Sequence, residues 1–170
     1  IYKKYMNGRI KEFVETECKK IPIAIDNTSL NVSHRNRNDV CELSSRLYPS
    51  LERPSSNNNT LTEHDGMFFI DSAALEPYLK KYKPMQLRLK VTSKYVHPDY
   101  PVFNFGDSKG KSFDRTIIYP TSDMKAWLKD HSSPLADLTR AQLYVALTRT
   151  RQSVAIYLKG ESNDDYPFLT

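Results

Sequence analysis

Apolar residues along this chain switch between two spacings, and each switch marks an element. In "YKKYMNGRIKEFVETECKK", Ile10, Phe13 and Val14 fall with Glu17 at helical spacing, which predicts a helix with a narrow buried stripe. A short apolar run, "IPIAID", is followed by "SLNVSHRN", a strand passing into a loop. "NDVCELSSRLYP" then sets Val40, Leu43, Ser44 and Leu47 on one helical face, with Asn36 or Asn38 as its cap and Pro49 as its stop. Residues 52–66 are polar and crowded with Pro, Ser and Asn, the composition of a mobile loop. "MFFID" reads as a strand, and "SAALEPYLKKYKP" as a helix showing Leu75, Tyr78, Leu79 and Tyr82 on one face before Pro84 ends it. "MQLRLKV" alternates Met85, Leu87, Leu89 and Val91 with polar neighbours, the pattern of a half-buried strand. "YPVFNF" and "RTIIYP" add two strands. The helix "LTRAQLYVALTRTR", in which Thr139 and Gln142 have the spacing of a capping box, runs into the strand "SVAIYL". The acidic tail, residues 160–170, is expected to fray. Strands and helices alternate throughout, so the predicted class is α/β, a largely parallel sheet flanked by helices.

Composition narrows the reading. A chain of 170 residues, 39% hydrophobic, is long enough for one domain with a real core and too short for two of ordinary size, so 1–170 is read as one domain. Lys and Arg number 25 against 20 Asp and Glu, and the net +5 favours an acidic partner such as nucleic acid without requiring one. Cys18 and Cys41 stand alone, and His34, His64, His97 and His131 are scattered, so no metal site is expected and a reducing, cytoplasmic setting is. No apolar run approaches a membrane span, and a chain opening at Ile1 reads as a piece of something larger. Lys80, Lys81 and Lys83 interleave with Tyr78 and Tyr82. That pattern suits a strand-tracking surface, but an amphipathic helix with core tyrosines and solvated lysines is the preferred reading.

One stretch carries candidate chemistry. "GDSKGKS", Gly106 to Ser112, looks like a phosphate-binding loop, yet that loop needs four residues between its glycines so that their amides curl around a phosphate. Here only Asp107, Ser108 and Lys109 intervene, and the next residues are β-branched and aromatic, a strand where a phosphate loop would open a helix. The phosphate loop is rejected, and a Gly-rich basic loop at the mouth of a strand needs another explanation.

"RAQLYVALTRTR", directly followed by "SVAIYL", resembles the sixth motif of the UvrD-like superfamily 1 helicases. "SLNVSHRNRNDV" is similar to their fourth motif, and "NFGDSKGKSFDRTIIYPT" to their fifth, in the correct order. The chain is thereby identified with the second RecA-like lobe of an ATP-dependent DNA helicase. The resemblance implies that Arg149 and Arg35 act on the phosphates of ATP, that Lys109, Gly110, Ser112 and Tyr144 face the nucleotide, and that Asn104, Gly106 and Ser108 face single-stranded DNA. It further implies a first lobe of the same chain holding ATP and Mg²⁺, so that the isolated lobe is an inactive monomer with no cofactor of its own. The chain departs from many members in carrying Asn104 and Gly106 where Thr and His precede the Lys-Gly core, and Ser112 in place of a ribose-contacting Glu. A large insert common before the fifth motif is missing, since 17 residues separate Pro84 from Val102. Read without the motifs, Arg149 is better taken as a helix-end arginine favoured by the dipole, Arg35 has the reading of a solvated loop arginine and Gly110 that of a turn glycine; the motifs reverse the preference at Arg149. A non-catalytic interaction module that retains the lobe is the competing interpretation.

Overall fold

The computed structural model describes residues 10–24, 31–91, 95–159, 167 and 169. Residues 21–24, from the apolar run after the first helix, form no strand, and the rest of that run lies outside the described residues. The centre of the fold is a five-stranded sheet built from β3 (Gly66–Ile70), β4 (Met85–Arg88), β5 (Val102–Asn104), β6 (Phe113–Tyr119) and β7 (Thr150–Tyr157). Their order is β3-β7-β6-β4-β5, with every neighbouring pair parallel. This is the helix-flanked α/β arrangement with a parallel sheet that the alternation predicts. The central strands are buried on both faces, which is why Thr116–Tyr119 and Ser153–Tyr157 are unbroken buried runs without alternation.

Period two divides these strands between two cores. Ile118, Val154 and Ile156 point to one face, where they meet α2 (Asn38–Arg46), α4 (Ser122–Lys129) and α5 (Asp137–Leu147) through Leu43, Trp127 and Leu147. Ile117, Ala155 and Tyr157 point to the other, against Tyr78 and Leu79 of α3 (Ser72–Tyr82). Tyr78 of α3 is therefore core, Tyr82 packs half-buried beside it, and Lys80, Lys81 and Lys83 are solvated, in line with the amphipathic reading. A second, small parallel pair joins β1 (Val32–Ser33) to β2 (Ser55–Ser56).

Several local expectations are corrected. The helix α1 (Ile10–Glu17) forms, but Ile10 is 74% exposed and Phe13 and Val14 are half-buried, so its apolar stripe is only partly covered. Neither asparagine caps α2. The N-cap is Arg37, because Asn36 donates to the Thr150 carbonyl (2.9 Å) and Asn38 accepts from Arg53 (2.8 Å). The Thr139–Gln142 box is absent, since α5 starts at Asp137 after Ala136 and Thr139 already lies in its first turn. Alternation places Gln86 on a wet face of β4, yet it is fully buried. Its amide accepts from Tyr119 Oη (2.7 Å) and the His97 amide (2.8 Å) and donates to the carbonyls of His97 and Tyr100, so every polar atom is satisfied beneath the 95–100 segment. The helix α4 is an addition to the predicted elements, although Thr121 caps it by accepting from Met124 N and its Met124, Trp127 and Leu128 are buried at helical spacing. Part of the tail is docked: Phe69 N donates to Pro167 O and Leu169 N to Phe69 O, both 2.9 Å, and this pair of bonds extends the free edge of β3.

Candidate functional site

The N-terminal ends of β6 and β7 meet the β1–α2 loop at one corner, and the two arginines singled out in sequence arrive there from positions 114 residues apart. Arg149 lies in the turn between α5 and β7. Its Nε donates to Val145 O (3.2 Å) and its Nη2 to Thr148 Oγ1 (3.3 Å), so the last turn of α5 holds the guanidinium from behind. Arg35 reaches the same residue from the other side, donating from Nη1 to Thr148 O (3.2 Å). Thr148 is fixed in turn, its hydroxyl donating to Tyr144 O (2.8 Å). Tyr144 is 37% exposed on the outer face of α5, its ring edge-on to Tyr48.

Two cations converging on one threonine repel each other. Burial, first, and then the neighbouring Arg35 charge lower the pKa of Arg149, although a guanidinium stays protonated near neutrality. Neither arginine pairs with a carboxylate among the described residues. Asp114 pairs instead with Arg151 (3.1 Å) and Asp65 with Arg37 (3.9 Å). A half-buried pair of unneutralised guanidinium groups is a site that a multiply charged anion stabilises, and a phosphate group fits that donor set. A divalent metal does not: no cluster of three or more His, Cys, Asp or Glu able to hold one exists among the described residues.

The Gly-rich loop borders this corner, because the amide of Phe113, at its exit, donates to Arg149 O (2.9 Å). Lys109 and Gly110 are exposed at the turn and Ser112 is half-buried. Gly110 has φ +77 with open space where a Cβ would stand, so the turn geometry alone requires glycine. Of the three residues expected to face nucleic acid, one is exposed. Gly106 is exposed, with nothing near its Cβ position. Ser108 is fully buried, its hydroxyl donating to Phe105 O (2.7 Å) inside a one-turn 3-10 helix, and so locks the loop without facing solvent. The Asn104 amide is engaged on both sides, donating to Asp107 (2.9 Å) and accepting from Arg88 (3.3 Å).

Sequence reasoning missed the asparagines behind Arg35. Asn36 and Asn58 tie its loop to β7, and the short polar residues of "SHRNRN" and "SSNNNT" were the available signal. The stretch 52–66, expected as a mobile loop, contributes β2 and the Asn58 anchor.

No family model matches the chain, and no curated protein matches it. Among solved structures it is similar to methylated PRRSV nsp10 (helicase), at 16% identity over 75% of this chain and 23% of that one, with a TM-score of 0.46. A second structure of PRRSV nsp10 (helicase) aligns at 17% identity over 74% of this chain and 23% of that one, with a TM-score of 0.42. The C-terminal domain of a possible DNA helicase from Lactobacillus plantarum WCFS1 aligns at 19% identity over 78% of this chain and 74% of that one, with a TM-score of 0.27.

Proposed function

We propose that this chain is the second RecA-like motor lobe of an ATP-dependent, UvrD-like superfamily 1 DNA helicase, presenting Arg35 and Arg149 to the terminal phosphates of ATP held between two lobes. The observation that carries this reading is the convergence of the two arginines on Thr148 without a carboxylate partner among the described residues. When bound, ATP with Mg²⁺ supplies the scissile phosphoanhydride, and the carboxylates that hold the metal belong to the first lobe.

On this reading the chain contributes position and charge. Arg149 uses its Nε and one Nη2 donor to stay in place, which leaves three N–H groups, including both on Nη1, for phosphoryl oxygens. Arg35 uses one and keeps four. Negative charge grows on those oxygens as the phosphoryl group transfers, and fixed guanidinium groups in a half-buried corner meet it with little reorganisation. Lys109 adds positive field from the exposed loop, Gly110 supplies the turn, and Ser112 and Tyr144 border the nucleotide. Asn104 and Gly106 lie on the face assigned to single-stranded DNA, and closure of the lobes around ATP moves that face along the strand.

The decisive experiment is Arg149→Ala in the full-length protein, assayed by single-turnover ATP hydrolysis at saturating single-stranded DNA with thermal melting as the folding control. Turnover is expected to fall by about 10³-fold, in the range of arginine fingers. Arg149→Lys restores little, because it keeps the charge and loses the planar fork. Wild-type turnover in a well-folded Arg149→Ala protein sinks the assignment.

A further inference from the structure

Like charges brought together drift apart unless neutral bonds hold the backbones that carry them. Around Arg35 those bonds come from the polar strap that succeeds α2. Asn57 N donates to Ser33 O (2.9 Å), Ser56 Oγ to Asn36 O (2.8 Å), and Asn58 Nδ2 to Arg35 O (2.6 Å), so the strap grips the Arg35 loop at three carbonyls within four residues. The same Asn58 Nδ2 donates its second hydrogen to Arg151 O (2.6 Å), two residues beyond Arg149 on β7. Its Oδ1 accepts from Thr60 N (3.2 Å), which fixes the orientation of the amide. One neutral side chain thus clamps the backbone of Arg35 to the strand that opens beside Arg149, and Asn36 adds a parallel tie to Thr150 O (2.9 Å).

We propose that Asn58 is a positioning residue for the arginine pair, acting through Arg35 to keep both guanidinium groups aimed at the same bound phosphate. This rests on the function proposed above. An –NH₂ group is the side-chain end suited to this role, since it donates to two carbonyls at once and adds no charge beside two cations. Asp at this position has the same shape but presents an oxygen to each carbonyl and a negative charge that draws the guanidinium groups inward, away from a ligand.

The test uses the full-length protein in four forms besides wild type: Asn58→Asp, Asn58→Ala, Arg35→Ala, and Asn58→Ala combined with Arg35→Ala. If Asn58 positions Arg35, Asn58→Asp and Asn58→Ala lower kcat for ATP hydrolysis, by up to about 10²-fold for a misplacement on the order of 1 Å, while KM for ATP changes far less. The double variant is then no slower than Arg35→Ala alone, because there is no Arg35 left to position. A role in folding alone gives losses that multiply in the double variant and track melting temperature, and that result overturns the proposal. So does wild-type kcat in Asn58→Ala, which keeps the inference testable should Asn58→Asp fail to fold. If Arg35→Ala slows turnover and Asn58→Ala does not, the positioning role falls and the assignment of Arg35 stands. Full turnover in Arg35→Ala removes both.

Discussion

His64 shows how far the surroundings decide what a residue is. Its ring stacks on Tyr82 (4.5 Å between centroids) and meets Phe68 (4.6 Å) and Tyr78 (5.5 Å) edge-on, and its Nε2 is buried without a hydrogen-bond partner among the described residues. Burial, then Arg115 on β6 and Lys81 on α3, lower its pKa from the usual 6.5 against the weaker pull of Asp65 and Glu63. The fold therefore favours neutral His64, whereas the unfolded chain takes up a proton near pH 6.5. Its contribution to stability is complete above that pH, declines as pH falls below it, and levels off beneath the folded pKa. His64→Phe preserves the stack and removes the titration, so wild type loses more stability than the variant between about pH 7.5 and about pH 5 in chemical denaturation. Equal losses in both proteins count against this account. In sequence His64 is one of four scattered histidines, because no local pattern encodes a ring cluster completed by Phe68 of β3 and by Tyr78 and Tyr82 of α3. Arg149 is legible for the opposite reason: the helix-to-strand stretch that places it is contiguous.

At the scale of elements, local signals succeed where one segment contains its own cap, stripe and stop. The helix α3 is the clearest case. Asp71 Oδ1 accepts from Ala73 N (2.8 Å) and Ala74 N (3.1 Å), Tyr78 and Leu79 bury one face, and Lys83 closes the end in the left-handed region at φ +46 before Pro84. Asp71→Ala is expected to cost about 1 kcal/mol and Asp71→Asn much less, read as a shift in denaturation midpoint at constant slope. No difference between the two variants removes the capping role. The capping box expected on α5 fails because a box motif is defined relative to a helix start that sequence places only approximately. The asparagines near α2 fail as caps because better partners, 114 residues away in the case of Asn36 and Thr150, claim them. The alternation of "MQLRLKV" misleads for a related reason: Gln86 is polar yet interior, since the residues that satisfy it come from β6 and the 95–100 segment.

At the scale of the whole molecule the proposed function makes the chain half of a site. Purified alone, it is expected to hydrolyse no ATP above background and to bind single-stranded nucleic acid weakly, with affinity that falls as salt rises because phosphate contacts dominate. Turnover by the clean chain, or tight and salt-insensitive binding, contradicts the half-site picture. Among the described residues no helix is long and apolar enough to cross a membrane. What the sequence by itself determined is the set of features written in short-range spacing. The apolar runs within β3, β6 and β7, the helical stripes of α2 and α3, the parallel α/β class that the alternation of elements implies, and the glycine demanded by the turn at Gly110 all depend on residues within a few positions of one another. Only the tertiary structure decided which polar residues are interior, that Ser108 turns inward, that Asn36 and Asn58 act as clamps, and that Arg35 and Arg149 share Thr148. The physical reason is that a hydrogen bond or a charge contact depends on distance in space, and a sheet whose order departs from that of the sequence brings together partners that no local pattern connects.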